Sequence, residues 1–236
     1  MRNLLLIIAC LNLGACSTVS SIDRPQSYYD TSPGENKDAI LNSPNQEIKD
    51  EKINALLYEK VKLPKKIRVA ILKLSKDTYW RFYSSDFTQL NDSIAENLIE
   101  KLRSSERVYD ASFLPSMLVP EKRTLPVLRE AAARFQADVL LAYRSSCNSY
   151  QKYRFISPDE TKSYCSVEAM LLDIRKGIIA KSVVTTQDFH AKKNSKDTNF
   201  SETIKKAELE AISKALGEIA NEIVRYLSNV AVIGEN

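Results

Sequence analysis

Glycine is scarce, with five in 236 residues. Two of them, Gly14 and Gly34, fall in the amino-terminal stretch, leaving Gly177, Gly217 and Gly234 for the rest. A phosphate-cradling loop needs several glycines close together so that backbone N–H groups can approach the phosphates, so P-loop and dinucleotide fingerprints are excluded. Histidine is scarcer still. His190 is the only one, among Asp188, Phe189, Lys192 and Lys193, without the partner ligands of a zinc site or the orienting carboxylate of a Ser-His-Asp triad. It reads as a solvated residue at a strand end. Charge of one sign is lacking too: 34 basic against 30 acidic residues, interspersed, give no basic patch for nucleic acid. The acidic residues most open to a catalytic reading, Asp138, Glu168 and Asp173, are scattered, and no spacing forces two carboxylates together. The sequence therefore offers no catalytic residues, no metal ligands and no cofactor, and a non-enzymatic protein is expected.

What is present begins at the amino terminus. Arg2 supplies one positive charge, and residues 4–13 form an apolar run of signal-peptide length, interrupted by Asn12. The run is too short for a bilayer, which needs about 20 apolar residues. It ends in Leu13-Gly14-Ala15-Cys16, which resembles a bacterial lipobox. That resemblance implies cleavage between Ala15 and Cys16 and acylation of Cys16, palmitate included. Cys10 is a weaker candidate, because cleavage there leaves a core of roughly six residues. One acyl chain holds marginally and two or more hold stably, so the expected product is a membrane-anchored envelope lipoprotein. Ser17, rather than aspartate, follows the cysteine; by resemblance to enterobacterial sorting this favours the outer membrane, facing the periplasm, with the inner membrane as the alternative.

Residues 1–15 are thus read as a signal peptide and 16–46 as a lipidated cysteine plus a disordered tether, rich in Ser, Asn, Asp, Pro and Lys. Residues 47–63 hold a short amphipathic helix, expected to dock on the domain, with Ile53, Leu56, Leu57 and Val61 on one stripe and Pro64 beyond. Residues 64–230 form the globular domain and 231–236 a tail.

Within the domain, Ile67, Val69 and Ile71 mark a mostly buried first strand over 66–74. Phe87, Leu90, Ile94, Leu98 and Leu102 keep helical spacing after a capping Ser85 or Asp86. Residues 107–113 form a second strand, giving a βαβ unit with parallel pairing. Thr124 and Pro126 open a helix that carries Val127, Leu128, Ala131, Ala132 and Phe135 on one face. The apolar run at 137–143 is a buried strand that continues towards Phe155, turns at Ser157-Pro158-Asp159, returns over 163–174, turns at Arg175-Lys176-Gly177 and ends as a strand over 178–189. A long helix over 200–228 closes the chain, with Ile204, Ala211, Ile212, Leu216, Ile219, Ile223 and Leu227 in one stripe. The expected fold is α/β: a mixed five-stranded sheet built as βαβ, helix and three-strand antiparallel meander, packed by helices, with a long C-terminal helix.

This order, with Arg68-Val69-Ala70-Ile71 opening it, Ala131-Ala132-Ala133-Arg134-Phe135-Gln136-Ala137-Asp138-Val139-Leu140-Leu141 at its centre and a meander ending near Gly177, resembles the TolB amino-terminal-like fold. The peptidoglycan-synthase activator LpoB and the curli-secretion lipoproteins share that fold. Those domains place a glycine at the helix-to-strand junction, where this chain has Gln136. The layout resembles even more the rhombotarget lipoproteins, with Leu63-Pro64 before the first strand and Asp173-Ile174-Arg175 after the fourth. The resemblance covers roughly residues 60–228 and implies fold more than function.

Cys147 and Cys165 remain after the signal region, on adjacent strands in an oxidising compartment. Facing each other, they would pair Tyr153 with Asp159 and leave a loop at 154–158, a length that hairpins accept. A disulfide closing about 18 residues contributes about 3 kcal/mol in the chain-entropy treatment. The hairpin tip carries Tyr150, Tyr153, Phe155 and Tyr164 among Arg144, Lys152, Arg154 and Lys162. Aromatics mixed with arginine can anchor a protein partner, although covering their own sheet is the commoner use. The expected function is a tethered module binding an unidentified envelope protein in assembly or regulation. The alternatives are an envelope hydrolase acting on peptidoglycan or lipid, and a structural subunit of an oligomeric secretion complex.

Overall fold

The computed structural model describes residues 49–74, 84–121, 123–155 and 157–234, with the backbone of 19–20. Ala15, Cys16 and nearly all of the expected tether lie outside the described residues.

The strands are β1 (Val19–Ser20), β2 (Lys62–Leu63), β3 (Ile67–Lys73), β4 (Val108–Phe113), β5 (Val139–Lys152), β6 (Glu160–Asp173), β7 (Ile178–Lys192) and β8 (Ala231–Val232). The described helices are α1 (Asp50–Tyr58), α2 (Ser85–Arg103), α3 (Leu125–Arg134) and α4 (Phe200–Asn229), with a 3-10 turn at Ser116–Leu118. The main sheet runs β4-β3-β5-β6-β7. β3 pairs in parallel with both β4 and β5, and β5, β6 and β7 form the antiparallel meander. This is the mixed α/β sheet with a long C-terminal helix that the periodicities predict.

Parity along the strands decides the layers. Val69, Ile71, Val139, Leu141, Tyr143, Cys165, Val167, Ala169 and Leu171 face α2 and α4 in the larger core. Ala70, Leu72, Leu140, Ala142 and Leu172 face the opposite way, against Leu128 and Ala132 of α3. α2 buries Phe87, Ile94, Leu98 and Leu102, one face of a helix whose first turn carries Asp86 and whose last carries Lys101 and Arg103, as the helix dipole favours. α4 starts where the Asn199 side chain accepts from the Glu202 N–H at 2.9 Å.

α3 and β5 are joined by a tight reversal. The Gln136 N–H donates to Ala133 O at 2.8 Å and the Ala137 N–H to Ala132 O at 3.0 Å, the two bonds of a Schellman ending. Gln136 takes the left-handed conformation, φ 57°, that this ending requires. Asp138 then pins the start of β5: its carboxylate accepts from the Arg68 backbone N–H at 3.0 Å and the Arg175 guanidinium at 2.6 Å.

Three observations depart from the expectations. The helix expected over 47–63 spans only Asp50–Tyr58 and does not dock: none of its residues is buried, and Ile53, Leu56 and Leu57 are exposed. The sheet face above β3 and β4 is already covered by α2 and α4, so only Val61 and Leu63, beyond the helix, reach that core. The expected tail at 231–236 is partly strand: Lys62 pairs with Ala231 and Leu63 with Val232, in parallel. Arg107 holds this junction, donating to Pro64 O, Lys65 O, Leu227 O and Val230 O at 3.0 to 3.2 Å. Finally, Val19–Ser20, in the expected disordered tether, pairs antiparallel with Lys152 and Gln151 at the end of β5.

Candidate partner-binding face

The meander strands are 14 to 15 residues long, so they run about 45–50 Å. α3, with ten residues, spans only about 15 Å. It covers the sheet where β5 begins and β6 ends, and leaves the outer half of that face open. α4, with 30 residues, is long enough to back the meander on the other face.

The open half-face is set by register. Lys162 lies opposite Tyr150, Tyr164 opposite Asn148 and Glu168 opposite Arg144. On the other side, Lys162 pairs with His190, Tyr164 with Asp188 and Glu168 with Val184. Tyr150 and Tyr164 meet edge to face, ring centroids 5.9 Å apart, and the Lys162 ammonium sits 4.8 Å from the Tyr164 ring centre. The Tyr164 hydroxyl and Asp188 beside Lys162 favour its charged form and push its pKa up. Arg144 pairs with Glu168 at 2.7 Å, towards the covered end.

At the tip, Glu160 gathers Arg154 at 2.7 Å and Lys192 at 3.1 Å, with His190 at 4.0 Å. The Lys192 hydrogen bond outweighs desolvation and, with the charges of Arg154 and Lys192, holds Glu160 below the usual carboxylate range. The ladder ends at Lys152 opposite Glu160, and Asp159 closes the loop by accepting from the Arg154 N–H at 2.9 Å.

The aromatic residues expected as one patch are divided between the two sides. Tyr150 and Tyr164 share the open face, and Phe155 is fully exposed in the tip loop. Tyr153 turns the other way and packs edge to face on Phe200, the first residue of α4, at 5.4 Å. Arg154 is engaged by Glu160, so the expected aromatic-plus-arginine anchor becomes two tyrosines with a lysine. β7 brings Val184, Thr186, Asp188 and His190 to the same face, a contribution that sequence reading missed and that strand parity could have supplied.

Cys147 and Cys165 lie opposite each other and are joined by a disulfide, Cα atoms 4.1 Å apart, on the α4 side of this hairpin. Beyond them Ser149, Ser163 and Glu208 of α4 are hydrogen-bonded to one another at 2.8 and 2.9 Å. The hairpin is thus fixed from behind.

The scattered carboxylates serve structure. Asp138 and Asp173 point to opposite faces, because Asp173 is registered with Val139. Asp173 caps the β6–β7 turn, accepting from the Arg175 and Lys176 N–H groups at 2.9 and 3.3 Å. Among the described residues no group of three His, Cys, Asp or Glu is placed to hold a metal ion, and no helix is long and apolar enough to cross a membrane.

No protein family matches the chain, and no curated protein matches it. Solved structures with some similarity include the PelC dodecamer from Paraburkholderia phytofirmans, at 15% identity over 69% of this chain and 94% of that one, TM-score 0.33. A neuraminyllactose-binding hemagglutinin homolog from Helicobacter pylori is 15% identical over 72% and 88%, TM-score 0.38. A lipoprotein from Neisseria meningitidis is 15% identical over 69% and 99%, TM-score 0.32.

Proposed function

We propose that this chain is a bacterial envelope lipoprotein of the TolB amino-terminal-like group, anchored through acylated Cys16 to the outer membrane and facing the periplasm. Its α/β domain binds another envelope protein through the open half-face of β5, β6 and β7, and supports assembly or regulation there. The observation that carries this reading is the length mismatch between the meander and α3, which leaves Tyr150, Tyr164 and Lys162 on an uncovered sheet while the disulfide and α4 stiffen its back. Rigid aromatic side chains presented on a fixed scaffold lose little conformational freedom on binding, which is why such residues recur as interface anchors.

The test is in-cell photo-crosslinking from position 164, with position 221 on α4 as the control. A discrete envelope-protein adduct from 164, absent from 221 and lost in a normally folded Tyr150→Ala plus Lys162→Ala variant, is the expected result. Equal adducts from both positions would refute the face. Metabolic labelling with palmitate, abolished by Cys16→Ser, tests the anchor separately.

A further inference from the structure

α1 carries an apolar stripe that the fold does not use. Ile53, Leu56 and Leu57 are spaced i, i+3, i+4, the arrangement that places side chains on one helix face. They are 42%, 37% and 77% exposed, and Tyr58 beside them is 86% exposed. The carboxyl end of the helix is nonetheless fixed to the domain: the Lys176 ammonium donates to the Glu59 carboxylate at 3.0 Å and to Lys60 O at 2.8 Å. Residues 49–66 around the stripe hold six lysines against three acids, and one of those acids, Glu59, is the one engaged by Lys176.

We infer that α1 is a membrane-surface element, whose stripe lies at the boundary between headgroups and acyl chains of an anionic bilayer while the surrounding lysines meet the phosphates. This rests on the proposed lipid anchor. Two features select a bilayer as the occupant. First, acylation of Cys16 keeps the domain at a bilayer surface, so lipid is at high local concentration around its exposed elements, this stripe included. Second, the local lysine excess complements anionic headgroups, and an exposed tyrosine at the end of an apolar stripe suits the interfacial layer. A second copy of the chain fits less well: one two-turn helix face buries far less than the about 1,000 Å² of a stable protein interface and would set like charges together.

Flotation of the full mature chain carrying Cys16→Ser, which has no acyl groups, tests this on vesicles of phosphatidylethanolamine with and without phosphatidylglycerol. The expected result is flotation with the anionic vesicles, reduced about tenfold without phosphatidylglycerol and about tenfold by Leu56→Ala plus Leu57→Ala. Replacing Lys49 or Lys52 with Gln lowers it about fivefold each. Because the stripe is exposed, these variants should keep the parent circular dichroism and melting temperature. Absence of flotation by the parent chain overturns the inference, as does flotation indifferent to the double variant. Sedimentation showing a dimer that the double variant dissociates, with flotation unchanged, assigns the stripe to self-association and also overturns it. Palmitate labelling of the unmodified chain reads the anchor independently, so a failed anchor and a failed surface helix give different outcomes.

Discussion

Gln136 holds the sharpest conflict between residue and backbone. The turn between α3 and β5 demands a left-handed residue, φ is 57°, and glutamine pays the Cβ penalty that glycine avoids. The boundary between helix and strand was legible in the sequence, because the apolar run starts at Ala137, but the left-handed conformation of Gln136 was not, since no periodicity marks it. Gln136→Gly should therefore stabilise the chain by about 0.5–1 kcal/mol, raising the melting temperature by about 1–4 °C. Ala133→Gly, in the last turn of α3, should instead cost up to about 1 kcal/mol. Thermal unfolding of the two variants beside the parent decides it, and a destabilised Gln136→Gly would mean that the glutamine side chain contributes more than its backbone costs.

At the scale of elements, the strands and helices were readable because their apolar positions repeat at periods of 2 and 3.6, and the β5–β6 register followed from setting Cys147 opposite Cys165. The faces of the aromatics, expected as one patch, were open to the same parity argument: Tyr150 and Tyr153 are an odd number of residues apart, and they part company at the end of the ladder. What periodicity cannot reveal is whether an amphipathic helix finds a surface to cover. α1 has the stripe of a buried helix and buries nothing, because coverage depends on elements far away in sequence. The disulfide matters for the same geometric reason, since the outer half of the hairpin extends past α3 and lacks one covering layer. Replacing both Cys147 and Cys165 with Ala should cost about 3 kcal/mol. It should speed amide exchange in the outer parts of β5 and β6 while leaving β3 and the start of β5 protected. An unchanged melting temperature in reductant would show that α4 alone suffices to hold the hairpin.

The molecule as a whole is closed by a polar knot that local patterns could not reveal, since its members come from segments more than 100 residues apart. Glu202, in the first turn of α4, is fully buried and accepts from the Ser84 hydroxyl at the start of α2, from the Thr198 N–H at 2.9 Å and from Lys206 at 2.9 Å. Lys206 also reaches Asp197 at 2.9 Å, and Asp197 accepts from the Thr203 hydroxyl at 2.6 Å. Burial raises the pKa of Glu202, but the hydrogen bonds from Ser84, Lys206 and Thr198 outweigh it and hold the carboxyl down to about 2, from 4.5. Asp197 is shifted downward too, its bonds to Thr203 and Lys206 outweighing desolvation. A carboxyl that titrates lower in the folded chain than in the unfolded one is protonated first in the unfolded chain. Its contribution is therefore complete above about pH 5 and is lost as pH falls from there towards 2. For Glu202 that contribution is on the order of 3 kcal/mol. Melting temperature measured from pH 6 to pH 3 should fall steeply in the parent chain. In Glu202→Gln it should start lower at pH 6, because the half-buried Lys206 loses a charged partner, and fall less steeply. Parallel curves for the two proteins would remove Glu202 from the acid response and leave the link between α2 and α4 to their apolar contacts.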